Sequence, residues 1–131
     1  MHVVINARTD NYLFAIGTAE TRLDDTLKRA RAYLEAGADC IFVPGVLDPA
    51  LIQVLVREIP GPINILAGPG APSASELFKL GVARISVGSS AMTAVMGYIR
   101  DIARELREKG TYEQIAAHTY SYAEATRLFL K

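Results

Sequence analysis

Arg8, Thr9 and Asp10 stand in a row after the apolar run Val3, Val4, Ile5 and the pair Asn6, Ala7. The β-branched run reads as a buried strand from Val3 to Thr9, so the polar triplet marks a strand's C-terminal end. In parallel α/β architectures that end is where ligands bind. A guanidinium placed there offers a two-pronged donor to a carboxylate or phosphonate, and it stabilises negative charge developing on an enolate-type oxygen. The plainer alternative is an arginine neutralised locally by Asp10. Two glycine-rich tips carry a second possible chemistry: Gly68 and Gly70 after one apolar run, and Gly88 with Ser89 and Ser90 after another. Backbone N–H groups at such a turn hold phosphate when a helix starts there. The plainer role is to let the chain turn sharply.

Other reactive residue types carry less. Cys40 is the only cysteine and sits inside an apolar run, so it reads as a small core residue. There is no internal disulfide to form and no Cys/His spacing suited to zinc. Asp24 and Asp25 read as a helix start and not as a metal site. His118 reads as a helix contact, His2 as incidental, and Tyr112, Tyr120 and Tyr122 as packing or interface residues. Lysine plus arginine equals aspartate plus glutamate, 14 each, with no basic stripe, which argues against a nucleic-acid partner. No apolar run approaches the roughly 20 residues of a membrane span and no signal-peptide pattern is present. A soluble, cytoplasmic protein is the expectation.

Four strand-then-helix units must position these residues. The first strand leads through Gly17 and Glu20 to a helix expected over Asp24–Ala36, capped by Asp24 and stopped by Gly37. The second strand, Cys40–Val43, precedes a helix capped by Asp48 with Pro49 in its first turn, ending near Pro60-Gly61. The third, Ile63–Ala67, precedes a short helix opened by Ser73 and Glu76 as a capping box and ended by Gly81. The fourth, Arg84–Val87, precedes a helix over Met92–Lys109. An amphipathic helix over Tyr112–Leu130 completes the chain. We expect one domain over residues 1–131, with the βα units up to residue 91 and C-terminal helices from 92.

Repeated βα units imply parallel strands with right-handed crossovers. Alternation within the strands chooses between an open sheet and a barrel. Val4, Asn6 and Arg8 share one face, as do Asn64, Leu66 and Gly68, and Arg84, Ser86 and Gly88. The opposite face is apolar: Ile5, Ala7, Ile63, Ile65, Ile85, Val87. A sheet sandwiched between two helix layers has no use for a polar face; a barrel interior does. A complete (βα)8 barrel needs about 250 residues, so four units make half of a TIM-type barrel. Met1 and His2 lead straight into the first strand. A lone half leaves two strand edges and its inner face uncovered.

The segments INARTD, TLKRARAYLEAGAD, IFVPG, NILAGPGAPS and LGVARISVG, in this order, resemble the isocitrate lyase/phosphoenolpyruvate mutase superfamily. The resemblance runs over essentially the whole chain and corresponds to strands five to eight of that barrel plus its C-terminal helices. It implies enzymes, lyases and isomerases among them, that cleave or rearrange C–C or P–C bonds in small 2-oxo or 2-hydroxy acids such as phosphonopyruvate. They work with Mg2+ and through an enolate. Arg8 matches the family's substrate-binding arginine, and Gly68, Gly70, Gly88 and Ser89 fall at its ligand-facing tips. Pro44 stands where many lyases carry glutamate and mutases histidine, and Gly68 where many carry asparagine. The Mg2+-binding acids and the lysine-cysteine-histidine loop belong to the family's first-half strands, which these residues do not include.

The resemblance therefore predicts a C-terminal half-barrel that is inactive alone and binds no metal itself. Two alternatives stand beside it: a non-enzymatic, self-associating half-barrel that binds phosphate or carboxylate, and an enzyme rebuilt from two halves with acids such as Asp10, Glu20 and Asp24. The open edges predict a homodimer. It forms either by closing an eight-stranded barrel or, as the resemblance implies from family members that exchange their eighth helix between subunits, by exchanging the matching helix over 92–109, whose stripe is Val95, Met96, Ile99, Ile102 and Leu106.

Overall fold

The computed structural model describes residues 3–117 and 120–130, so the readings of His2 and His118 lie outside the described residues. The described residues form two compact units, one ending at Gly88 and the other beginning at Ser89.

The first unit is a four-stranded parallel sheet in the order β1 (Asn6–Arg8), β2 (Cys40–Val43), β3 (Ile63–Leu66), β4 (Arg84–Ser86). Three helices join the strands: α1 (Ala19–Glu35), α2 (Pro49–Glu58) and α3 (Ala74–Lys79). The register sets Ala7 beside Ile41, Ile41 beside Ile63, and Val43 beside Ile65 and Ile65 beside Ile85. These residues form the apolar face. Ile41, Val43, Ile63 and Ile65 are buried beneath Leu27 and Ala30 of α1, Ile52 and Leu55 of α2, and Leu77 of α3. The second row runs Arg8, Phe42, Asn64, Arg84, with Leu66 beside Ser86. Asn64 is fully buried, and its amide closes on the Ser86 hydroxyl, Nδ2 donating at 2.9 Å and Oδ1 accepting at 3.2 Å. One apolar face and one polar face, as the alternation requires, make this a half-barrel.

Three elements differ from the sequence expectation. Val3, Val4 and Ile5 are not buried, at 65, 56 and 55% exposure, and the strand is confined to Asn6–Arg8. β1 is an edge strand of the sheet, so on one side the run has no neighbouring strand among the described residues. Ile5 is nevertheless tied to the approach of β2: its N–H donates to Asp39 Oδ2 at 2.8 Å and its carbonyl accepts from Asp39 and Cys40. α1 starts five residues before the expected point, with Thr18 as its cap accepting from the Thr21 N–H. Asp24 and Asp25 are exposed within the helix, and Glu20 occupies its first turn, where its charge suits the helix dipole. The caps at Asp48 and Ser73 are as expected, the latter a complete capping box with Glu76.

The loop after β1 is fixed by close approach. Gly45, just past β2, has φ +88°, and a Cβ there would lie 2.7 Å from the Leu13 backbone nitrogen and 2.9 Å from the Tyr12 carbonyl carbon. Within that loop, Ile16 N–H donates to the Asn11 carbonyl at 2.9 Å and Phe14 N–H to the Asp10 carbonyl. Arg22 of α1 reaches back to the carbonyls of Ile16 and Gly17 and lies 5.9 Å from the centre of the Tyr12 ring.

The second unit holds α4 (Ser90–Glu108), α5 (Glu113–Ala117) and α6 (Tyr122–Arg127). α4 starts two residues before its expected position. The expected continuous last helix is two short ones: Ser121 forms its own capping box with Glu124 and so starts a new helix. Tyr112, Tyr120 and Tyr122 are exposed at 68, 63 and 89%, so they do not pack within the chain. α5 is anchored by a side chain of α4. The buried Glu105 carboxylate accepts from the Thr111 hydroxyl at 2.5 Å, the Gln114 N–H at 2.7 Å and the Glu113 N–H at 2.8 Å. It thus satisfies two N–H groups that the helix start leaves open.

Gly45→Ala adds a left-handed strain and a clash with backbone, and should cost about 2–4 kcal/mol in urea unfolding with faster exchange of the Ile16 amide. Gly70→Ala, where φ is +87° but the nearest atom would be 3.9 Å away, should cost only about 1 kcal/mol. The hydrogen bond from the Thr111 hydroxyl, then that from the Gln114 N–H, holds the Glu105 carboxyl below the ordinary carboxylate range. A pKa lowered by folding gives stability that is complete above the unfolded value and is lost as pH falls through the folded one. Protection of the Glu113 and Gln114 amides should therefore hold at neutral pH and vanish on acidification below the usual carboxylate pKa. Glu105→Gln should remove much of it at every pH.

Candidate functional site

The four strand tips of the first unit form its candidate ligand end, because parallel strands all point the same way. Arg8 closes β1 and, by its register with Phe42 and hence Asn64, belongs to the polar face. Its Nε donates to Asp10 Oδ1 at 2.5 Å, and the two side chains are 45 and 39% exposed. The local pairing with Asp10 is thus present. A pair this open to water contributes at most about 1 kcal/mol, so a carboxylate ligand competes with it easily. Among the described residues the terminal guanidinium nitrogens have no protein partner, and they are the two-pronged part of the group.

The other tips are arranged around the sheet and not against Arg8. At about 4.8 Å per strand, β3 and β4 lie roughly 10 and 14 Å across the sheet from β1. Gly68 and Gly70 are exposed after β3, where the Gly68 carbonyl accepts from the Ala71 N–H. Gly88, at φ +54°, follows β4; a Cβ there would press on Leu66 Cδ1 at 3.1 Å. Ser89 opens the second unit as the N-cap of α4, and its side chain makes no capping bond.

Two buried polar atoms, Asn6 Oδ1 at the start of β1 and Thr9 Oγ1 just past its end, have no hydrogen-bond partner among the described residues. The Thr9 backbone is satisfied, its N–H donating to the Phe42 carbonyl at 2.9 Å. Cys40 lies beside Asn6 in the register and is buried; burial raises its thiol pKa, with Arg84 opposing. A thiol held in its neutral form is a packing residue and a poor nucleophile. Among the described residues no three His, Cys, Asp or Glu side chains are grouped to hold a metal ion. Asp10, the acid at the β1 tip, is taken by Arg8, and Glu20, Asp24 and Asp25 lie along α1. The donor set present does not fit Mg2+.

Gly45 and Arg22 are the positioning residues that the sequence reading missed. Pro44-Gly45 reads as a turn, and nothing in the spacing of Arg22 shows that it grips the loop around Tyr12 and Gly17. The acid–base balance is no guide either, since Arg22 is one of 14 basic residues.

Known proteins give this arrangement a context. A family model described as phosphoenolpyruvate phosphomutase matches residues 1–107. Oxaloacetate decarboxylase 2 of Pseudomonas fluorescens is 33% identical over 138 residues, covering 95% of this chain and 47% of its own. The crystal structure of a Burkholderia cenocepacia protein, provisionally assigned as a lyase/mutase, superposes with a TM-score of 0.84 at 35% identity, covering 96% of this chain and 44% of that one. A phosphonopyruvate hydrolase solved with oxalate and Mg2+ superposes at 0.70 with 26% identity, covering 96% and 44%. The chain spans about half the length of the curated relatives it matches. Among the described residues no helix is long and apolar enough to cross a membrane. With a four-stranded parallel half-barrel and a family match over residues 1–107, the chain belongs to the phosphoenolpyruvate phosphomutase family.

Proposed function

We propose that this chain is the substrate-anchoring half of an enzyme centre that acts on small 2-oxo or 2-hydroxy acids, and that it does not turn over alone. The observation that carries the reading is Arg8, whose terminal nitrogens are open at the ligand end of the strand. A 2-oxo acid places a carboxylate beside a carbonyl, so one guanidinium can hold the carboxylate and meet charge that develops on the neighbouring oxygen. The glycine tips after β3 and β4 suit the far end of such a substrate, a carboxylate or a phosphonate, because backbone approaches closely where no side chain intervenes. Relatives of this chain include an oxaloacetate decarboxylase and a phosphonopyruvate hydrolase, and both names describe acids of this class.

Enolate chemistry also needs a Lewis acid or an equivalent, worth several kcal/mol of charge stabilisation. Mg2+ would supply that charge when bound. This chain's acids do not fit it, so the residues present bind and orient and do not complete the reaction. The positioning is built into the backbone: the Gly45 contact and the Arg22 grip hold the loop that carries Asp10, and Asp10 in turn sets the direction of the Arg8 fork.

Oxalate is a planar dicarboxylate of the right shape to test the anchor. By NMR titration, oxalate should shift the Arg8 Nε signal and the amides near Gly68 and Gly88. Arg8→Ala should weaken binding about tenfold or more, the loss of a charge-assisted pair. Asp10→Asn should tighten it, because the competing carboxylate is gone. With oxaloacetate or phosphonopyruvate and Mg2+, turnover by the chain alone should match a protein-free blank. Oxalate binding unaffected by Arg8→Ala would overturn the anchor, and Arg8-dependent turnover would overturn the claim that the half is inactive.

A further inference from the structure

The chain that leaves β1 makes one helical turn and stops. The Phe14 N–H donates to the Asp10 carbonyl at 3.1 Å, so the two residues share one side of the turn, as positions four apart do. The Ala15 N–H then donates to the Tyr12 carbonyl and the Ile16 N–H to the Asn11 carbonyl, the pattern in which a left-handed residue, usually glycine, closes a helix. Here that residue is Ala15, at φ +49°. A side chain in that conformation is strained, and it persists where the surroundings fix the backbone. Asn11 is buried, Tyr12 packs on the core, Gly45 abuts the Leu13 backbone and Arg22 holds the Ile16 and Gly17 carbonyls. The turn therefore buries Asn11 and Tyr12 and presents Asp10 and Phe14. Phe14 is 65% exposed, and Asp10 holds Arg8 Nε. A bare phenyl ring thus stands one side chain away from the guanidinium, on backbone that is pinned from several sides.

From this arrangement we infer that Phe14 selects among the acids that Arg8 anchors, favouring 2-oxo acids that carry a large apolar arm, an aryl ring or an unbranched alkyl chain. Side chains four apart on a turn have Cβ atoms about 6 Å from one another. A ligand carboxylate that takes the place of Asp10 on the guanidinium therefore brings its own carbon chain against the ring. Each apolar atom of the arm that leaves water there adds to affinity, and an aryl arm gains further from ring-on-ring contact. Water excluded by the arm also strengthens the pairing of carboxylate and guanidinium beside it. A polar arm gains none of this and loses hydration against the ring. The inference rests on Arg8 as the carboxylate anchor. Phe14 determines specificity and takes no part in the reaction.

The test is a series of 2-oxo acids titrated by NMR into the full chain: pyruvate, 2-oxobutyrate, 2-oxopentanoate and phenylpyruvate. The Arg8 Nε signal reports the anchor, and the Phe14 ring signals report the arm. Affinity should rise about twofold with each added methylene, and phenylpyruvate should bind about tenfold more tightly than pyruvate. Phe14→Ala should flatten the series, and Phe14→Leu should keep the alkyl gain while losing part of the aryl gain. Phe78→Ala removes an equally bare ring from α3 and should leave the slope intact, which separates this site from general stickiness toward apolar solutes. Circular dichroism confirms that each variant is folded; Phe14 is exposed, so its removal opens no cavity. A flat series in the wild-type chain, with the Arg8 signal still shifting, would overturn the inference and leave the anchor standing. A slope that survives Phe14→Ala would overturn it equally. An Arg8 signal that no acid moves would overturn the anchor, and the inference with it.

Discussion

A parallel strand must share its backbone hydrogen bonds with a neighbour on each side and must cover both of its faces, and everything in the first unit depends on how far these four strands meet that demand. They meet it completely on one face. Ile41, Val43, Ile63 and Ile65 are sealed beneath three helices, and this layer fixes the register from which every other position follows. On the other face they do not. Asn64 and Ser86 satisfy one another, while the Arg8 and Arg84 side chains on the same face stay exposed, with Asp10 paired to Arg8. The polar face buries its centre at Asn64 and leaves its two arginines exposed, so the groups able to meet a ligand are the ones the four strands do not cover.

Much of this was legible in the sequence because strand periodicity is a direct image of the pleat. Asn6, Arg8, Asn64, Arg84 and Ser86 could be assigned to one face by parity alone, and the family match followed from motifs at strand tips. Helix starts were legible where one residue type decides them, as at Asp48 and Ser73. Thr18 and Asp24 show the limit. Both are good caps, and the choice fell to the turn at Gly17, which only the folded loop fixes. Val3 to Ile5 misled for another reason: composition reports what a strand is fit for, and an edge position denies it the neighbour that would bury it. The last helix concealed a second start at Ser121 inside a pattern that looks continuous by hydrophobic spacing.

The site was legible in its residue types and not in its geometry. Arg8 was apparent, but its 2.5 Å contact with Asp10 was only one of two readings. Gly45 and Arg22 act through space on a loop more than two residues from either, and neither spacing nor composition reveals such a contact. The C-terminal unit makes the same point. Glu105 looks like one more surface acid of an amphipathic helix, yet it is buried and bonded three times.

The strand order β1-β2-β3-β4 repeats the order in the chain, and this has a kinetic side. Paired residues are 34 positions apart between β1 and β2 but 22 and 20 apart in the later pairs. The longer closure costs only about 0.5 kcal/mol more in chain entropy. β1 is also short, has one neighbouring strand, and follows the exposed Val3, Val4 and Ile5. The later three strands form the natural nucleus, and β1 joins it last and leaves it first. The arginine that would meet a ligand therefore rides on the least secure strand of the sheet, and a ligand that grips it would also slow the fraying of that edge.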